Sequence, residues 1–157
     1  MSAAMPMRAG FTLVEMMVVV LIAAIVLTAG VPALQQMVRR QRLTGAADDF
    51  FHAAHLTRAT ALRRGRTAEM VPPQGADWRQ GWRIVVNGNE VLMTRPALAP
   101  GIDVSSTAEQ ARVRYLADGR PAVSGTWRFT DGATQRWVII NFLGRIRICD
   151  PAPTGSC

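Results

Sequence analysis

Apolar positions along the 157-residue chain fall into three regimes. From Phe11 to Leu34 the chain is apolar on every side, with Glu15 as the only charge. At about 1.5 Å of rise per residue, a helix over this stretch spans a bilayer. Further on the apolar positions thin to Leu43, Ala47, Phe50, Ala54 and Ala61, spaced by three, four or seven. That spacing lays one stripe along a helix. Arg39, Arg40, Arg42, Asp48, Asp49, Arg58, Arg63 and Arg64 fall on the other side. Gly65 then stands where a left-handed helix stop is expected, with two arginines favourably placed in the last turn. The pattern therefore predicts one helix from about Phe11 to Arg64, whose second half packs on a sheet.

Beyond Thr67 the period shortens to that of strands. Gly81–Val86 and Glu90–Thr94 flank Asn87-Gly88, and Trp127–Thr130 and Gln135–Phe142 flank Asp131-Gly132. Both read as hairpins. Ala111–Leu116 alternates and ends at Asp118-Gly119, and Arg145–Cys149 is a last strand. Val71–Gly75 and Pro96–Gly101 read as loops. No internal repeat or second folded domain is visible.

The acid at the head of the apolar run is the first sign of function. A carboxylate near the end of a membrane helix is costly and marks a site with a partner. An ordinary secretory signal has a shorter apolar stretch, and a plain anchor accounts for the hydropathy but not for Gly10-Phe11 or Glu15. Arg8 in the leading segment supports an orientation with the N-terminus in the cytoplasm.

Gly10, Phe11, Thr12, Leu13 and Glu15 resemble the processing site of type IV pilins and pseudopilins. Pro32 is similar to the helix-bending proline of that family. The resemblance implies cleavage after Gly10 by a prepilin peptidase and N-methylation of the new N-terminal Phe11. It also implies assembly with other major and minor pilins through Glu15, which meets a neighbour's N-terminal amine. A carboxylate buried among apolar helices needs such a cation. Trp78-Arg79-Gln80-Gly81-Trp82-Arg83-Ile84 looks like the W-x-x-G-W-x-I pattern of GspH/FimT-type minor pseudopilins. Gly144-Arg145-Ile146-Arg147 is similar to the G-R-x-R motif of the FimT branch. The implied fold is α+β and type IV pilin-like, a long N-terminal helix on antiparallel β-sheets. The implied divisions are a leader over 1–10, a transmembrane or filament-core helix over 11–34, its amphipathic half over 35–64, and a β-rich periplasmic domain over 65–157. The chain would sit in the inner membrane with a single pass and enter a pilus or pseudopilus.

Charge sharpens the expectation. The net charge is +7, and all 18 basic residues are arginine. A positive balance argues for acidic partners, and arginine is the better fork for phosphate. In FimT-like pilins the G-R-x-R region is associated with binding DNA in natural transformation. On a strand, residues at i and i+2 share a face, so Arg145 and Arg147 would stand together. Gly144 would let the backbone approach a ligand, and Arg136 is a secondary candidate. Such contacts grip phosphates and carry no sequence information. The competing expectation is that the two arginines form a solvated face or pair with an acid such as Asp150. Arg112 and Arg114 alternate on a strand and are expected to face solvent together. Trp78, Trp82, Trp127 and Trp137 suit a core better than a base-stacking platform.

In an oxidising compartment, Cys149 and Cys157 would close a disulfide across a Pro- and Gly-containing loop. Neither a CxxC pair nor a neighbouring histidine points to a metal. His52 and His55, three apart on the helix, lack a third ligand nearby in sequence. No GxSxG, P-loop or HExxH motif is present, so no enzyme activity and no cofactor are expected. Two other readings share this start and fold. One is a GspH-like minor pseudopilin of a type II secretion system; the other is a minor pilin that primes pilus assembly. Neither has a DNA role.

Overall fold

One helical stripe has to be buried, and two sheets bury it. The structure, a computed structural model, describes residues 12–108 and 112–151. Helix α1 spans Leu13–Arg64, with Pro32 inside it and Arg63 and Arg64 in its last turn. The chain divides into two units after Val38. In the first unit the helix is long and apolar enough to cross a membrane, and its most apolar window is not buried within the chain. Leu13, Val20, Ile25 and Leu34 are all exposed there.

The second unit begins at Arg39. Leu43, Ala47, Phe50, Ala54 and Ala61 are all buried, as the stripe predicts, and Ala46, Ala53 and Thr57 widen it. The Thr57 hydroxyl donates to the Ala53 carbonyl at 2.7 Å, which satisfies its polar group inside the core. Small residues let the sheets come close to the helix, and Phe50 supplies the bulk. Its ring centroid lies 5.2 Å from Trp78, 5.4 Å from Trp82, 5.5 Å from Trp127 and 5.4 Å from Phe129. Three of these contacts are edge-on, the geometry that aromatic quadrupoles favour.

The strands are β1 (Ala68–Val71), β2 (Trp82–Val86), β3 (Glu90–Arg95), β4 (Asp103–Ser106), β5 (Val113–Tyr115), β6 (Gly125–Thr130), β7 (Gln135–Ile140) and β8 (Ile146–Cys149). They form two four-stranded sheets, ordered β3-β2-β1-β5 and β4-β6-β7-β8. Every pairing is antiparallel. Hairpins turn at Asn87-Gly88 and Asp131-Gly132 as expected, whereas β1 and β4 were not foreseen. Val71, expected to open a loop, closes β1 against Arg83.

The Trp78–Trp82 motif has a packing explanation. Trp78 lies in a short 3-10 helix, Trp78–Gln80, and Trp82 opens β2; both are buried. Between them Gly81 has φ +85, and a Cβ there would lie 2.1 Å from the Arg95 carbonyl oxygen. Only glycine tolerates both conditions, so the pattern delivers two indoles to Phe50 around a forced turn.

Phe50→Ala is expected to cost about 3–5 kcal/mol, measured by chemical denaturation of the second unit. Phe50→Leu should recover part of that loss by refilling some of the volume.

Candidate nucleic-acid interface

β8 is an edge strand, and its turn from β7 defines the site. Arg145 directly precedes β8, and its carbonyl accepts from the Asn141 N–H at 3.1 Å, adding one rung beyond the strand. Arg145 and Arg147 are exposed, while Ile146 between them is buried. The two arginines therefore share the solvent side, about 6.6 Å apart along the backbone.

The acids nearby serve other arginines. Asp150 pairs with Arg136 at 2.6 Å, Asp118 with Arg120 at 2.6 Å, and Glu69 with Arg112 and Arg114 at 3.3 and 2.8 Å. Asp131 is taken up by its own turn, accepting from the Thr134 N–H at 2.7 Å. Among the described residues, Arg145 and Arg147 have no ion pair. No acid of the described residues stands beside either guanidinium group.

Arg58 of α1 holds the turn. Its Nε–H donates to the Gly119 carbonyl at 3.1 Å, and Nη1 donates to the Gly144 carbonyl at 2.8 Å. One half-buried side chain thus ties the β5–β6 loop and the β7–β8 turn to the helix. Gly144 packs inside this corner rather than against a ligand. It is buried at φ +77, and a Cβ would lie 3.1 Å from the Gly119 carbonyl oxygen and 3.2 Å from the Arg58 guanidinium carbon. Its role is to aim the arginines that come after it.

Arg136 falls elsewhere. It alternates with Trp137 along β7 and shares the helix-facing side with Val138 and Ile140. There it lines a cleft of about 660 Å³ with Arg40, Leu43 and Asp150. Arg136 therefore does not stand beside Arg145 and Arg147, because the pleat of β7 turns it to the opposite face. Arg112 and Arg114 do share a side, as expected, but both are half-buried against Glu69 beside the other sheet.

Arg128, which stands near a turn in the sequence, joins the exposed face instead. Arg147 lies opposite Ile139, Cys149 opposite Trp137, and Trp137 opposite Arg128. These side chains point to one side of the sheet. The Arg128 guanidinium carbon sits 5.0 Å from the Trp137 ring centroid, a cation–π contact. Trp78, Trp82 and Trp127 are core residues, whereas Trp137 is half-exposed. The period-two spacing of Arg128 and Phe129 was available in the sequence, but the pairing of β6 with β7 decides which face carries Arg128.

At the other end of the chain, Glu15 has a partner of its own. Its carboxylate accepts from the Thr12 N–H at 2.8 Å and from the Thr12 hydroxyl at 3.0 Å. The Thr12 oxygen accepts from the Glu15 N–H at 3.3 Å. This reciprocal T-x-x-E capping box starts α1, and its signature stood unread in the sequence. Gly10, Phe11 and Cys157 lie outside the described residues; Cys149, the other half of the expected disulfide, ends β8. The His55 ring meets Phe51 edge-on, with centroids 4.5 Å apart. Burial pushes its pKa down, and Arg58 and His52 add to that. Among the described residues, no group of three or more His, Cys, Asp or Glu side chains is placed to hold a metal.

A long helix on antiparallel sheets, headed by a capped acid, is the architecture of a pilin-like subunit. The family model for type II transport protein GspH matches residues 46–144, and the prokaryotic N-terminal methylation motif matches residues 5–31. The chain belongs to this family of minor pilins and pseudopilins of the GspH/FimT type. Two crystal forms of the type IV minor pilin FimU from Pseudomonas aeruginosa share the fold. One is 20% identical with a TM-score of 0.61, covering 70% of this chain and 90% of FimU. The other is 17% identical with a TM-score of 0.58, covering 67% and 90%. No curated protein sequence matches significantly. The family is structural rather than catalytic, works with other pilins, and carries the motif that prepilin peptidase processes. The apolar helix and this motif mark a membrane-anchored pilus or pseudopilus component. The GspH match ends at Gly144, so Arg145 and Arg147 lie just beyond it.

Replacing Arg58 by Met keeps its apolar stem and removes both carbonyl contacts. Hydrogen exchange should then accelerate at the amides of Leu143, Gly144 and Arg145 far more than in β6, and stability should fall by about 1–3 kcal/mol.

Proposed function

We propose that this chain is a FimT-like minor type IV pilin that binds DNA non-specifically through Arg145 and Arg147 during uptake in natural transformation. The observation that carries the reading is the pair of exposed arginines left without an acid while their neighbours are neutralised. Two guanidinium groups on one side of an edge strand suit successive phosphates, and arginine forms bidentate charge-assisted bonds with them. Arg128, on the same sheet face, extends the positive surface across β7. Gly144 and Arg58 act behind these groups, holding the turn from which they project.

In this reading prepilin peptidase cuts after Gly10, and Phe11 becomes the methylated N-terminus. The segment 11–34 anchors the subunit in the inner membrane and then enters the filament core. Segment 35–64 carries the globular region, and residues 65–157 face the periplasm. Glu15 exchanges its Thr12 contacts for a neighbouring subunit's amine during assembly. Cys149 and Cys157 close a disulfide that pins the tail beyond β8. A second reading, a secretion pseudopilin, is favoured by the GspH description of the matched family. Loss of protein secretion rather than of transformation on gene deletion would support it.

Full-length protein in a neutral detergent should bind labelled DNA of unrelated sequences equally, and affinity should fall steeply as salt rises. Arg145→Ala/Arg147→Ala should weaken binding at least tenfold and lower the salt slope by about 2, with the circular dichroism spectrum unchanged. Wild-type affinity in the double variant would remove these residues from the site.

A further inference from the structure

The turn between β7 and β8 points its two largest side chains into solvent. Phe142 is 75% exposed and Leu143 64%, the highest values among the described large apolar residues from Arg39 onward. Scattered apolar surface residues are ordinary, but this pair stands on an unusually well-held turn. The Gly144 N–H donates to the Asn141 carbonyl at 2.9 Å. The Asn141 side-chain oxygen accepts from the Leu143 N–H at 3.1 Å and the Arg145 N–H at 2.8 Å. Arg58 adds its bond to the Gly144 carbonyl from the helix. A backbone fixed in advance lowers the ordering cost of binding.

The charges adjoining the apolar tip decide its partner. Arg145 comes three residues after Phe142, and Arg147 continues along the same edge. Phe142 and Leu143 are the central residues of the Asn141–Gly144 turn, and Arg145 follows it directly, so adjacent nucleotides can reach both the ring and the guanidinium groups. An apolar ring beside unpaired cations matches a polyanion with flat apolar faces. An apolar face of a neighbouring pilin would account for the ring but leave the adjoining pair of arginines unused, and an anionic lipid surface would use the arginines without calling for a flat aromatic ring in place of an aliphatic side chain.

We propose that Phe142 is a base-stacking residue for single-stranded DNA, with Leu143 packing beside it and Arg145 and Arg147 holding the flanking phosphates. The inference rests on the DNA-binding reading and names the form of DNA. Every base has a π-face, so stacking on Phe142 is tolerant of sequence. In a duplex the bases already stack on one another, and the ring gains contact only at unpaired ends or frayed steps.

The test compares full-length protein in neutral detergent with a labelled oligonucleotide, single-stranded and as its closed hairpin duplex. Phe142→Ala should lose about tenfold in single-strand affinity and change duplex affinity by less than about twofold. Phe142→Trp should retain single-strand binding, and Phe142→Leu should behave like the alanine variant. Single-strand binding unchanged in Phe142→Ala, or retained in full by Phe142→Leu, overturns the stacking role while Arg145→Ala/Arg147→Ala still tests the DNA reading separately. Wild-type protein that binds neither form overturns the DNA reading and this inference together. Normal DNA binding with impaired incorporation into the filament makes the tip a subunit contact and also overturns it.

Discussion

Everything in the second unit depends on Phe50. A helix stripe made mostly of alanine brings two sheets close but offers them little to pack against. One ring, buried completely, meets aromatic residues from the 3-10 helix, β2 and β6. It joins the two sheets into a single interior. Because the inner faces are committed to that cluster, each strand's alternate residues are free to face outward. The pleat then distributes the charges: Arg136 inward, Arg128 and Arg147 outward.

Charge is divided between the sheets as well. Beside β1 and β5, Glu69 is shared by two arginines and offsets part of their charge. On the β6-β7-β8 side the acids sit in turns or toward the helix, where Asp150 holds Arg136. A net charge of +7 is therefore not spread evenly. The β8 edge is one of the places where arginines stand without an acid, and counting charges along the chain does not locate it.

The helix and its stop were legible because a stripe of one period and a glycine after two arginines are local signals. The hairpins at Asn87-Gly88 and Asp131-Gly132 were legible for the same reason. β1 and β4 were not. Ala68–Val71 alternates over only four residues directly after the helix and a short turn, too short a run to stand out, and Asp103–Ser106 is an outer strand with little to bury. The family was readable from motifs, and the exposure of Arg145 and Arg147 on one side from the strand period, but the pairing of Asp150 depended on which strands adjoin. The face of Arg136 was not legible because Trp137-Val138-Ile139-Ile140 is apolar on both sides. Gly144 looked like an approach route for a ligand because its close neighbours, Gly119 and Arg58, are distant in sequence.

Gly144 and the two arginines after it answer to different demands, although they read as one motif. The glycine is required by a left-handed turn packed under a guanidinium of the helix, a condition that any relative with this corner must meet whatever it binds. The arginines are required by nothing inside the molecule. In a set of related chains, the glycine would thus report shared architecture, and the arginines, held by no contact within it, would vary with whatever meets that face. A motif scored as a unit would blur descent with occupation.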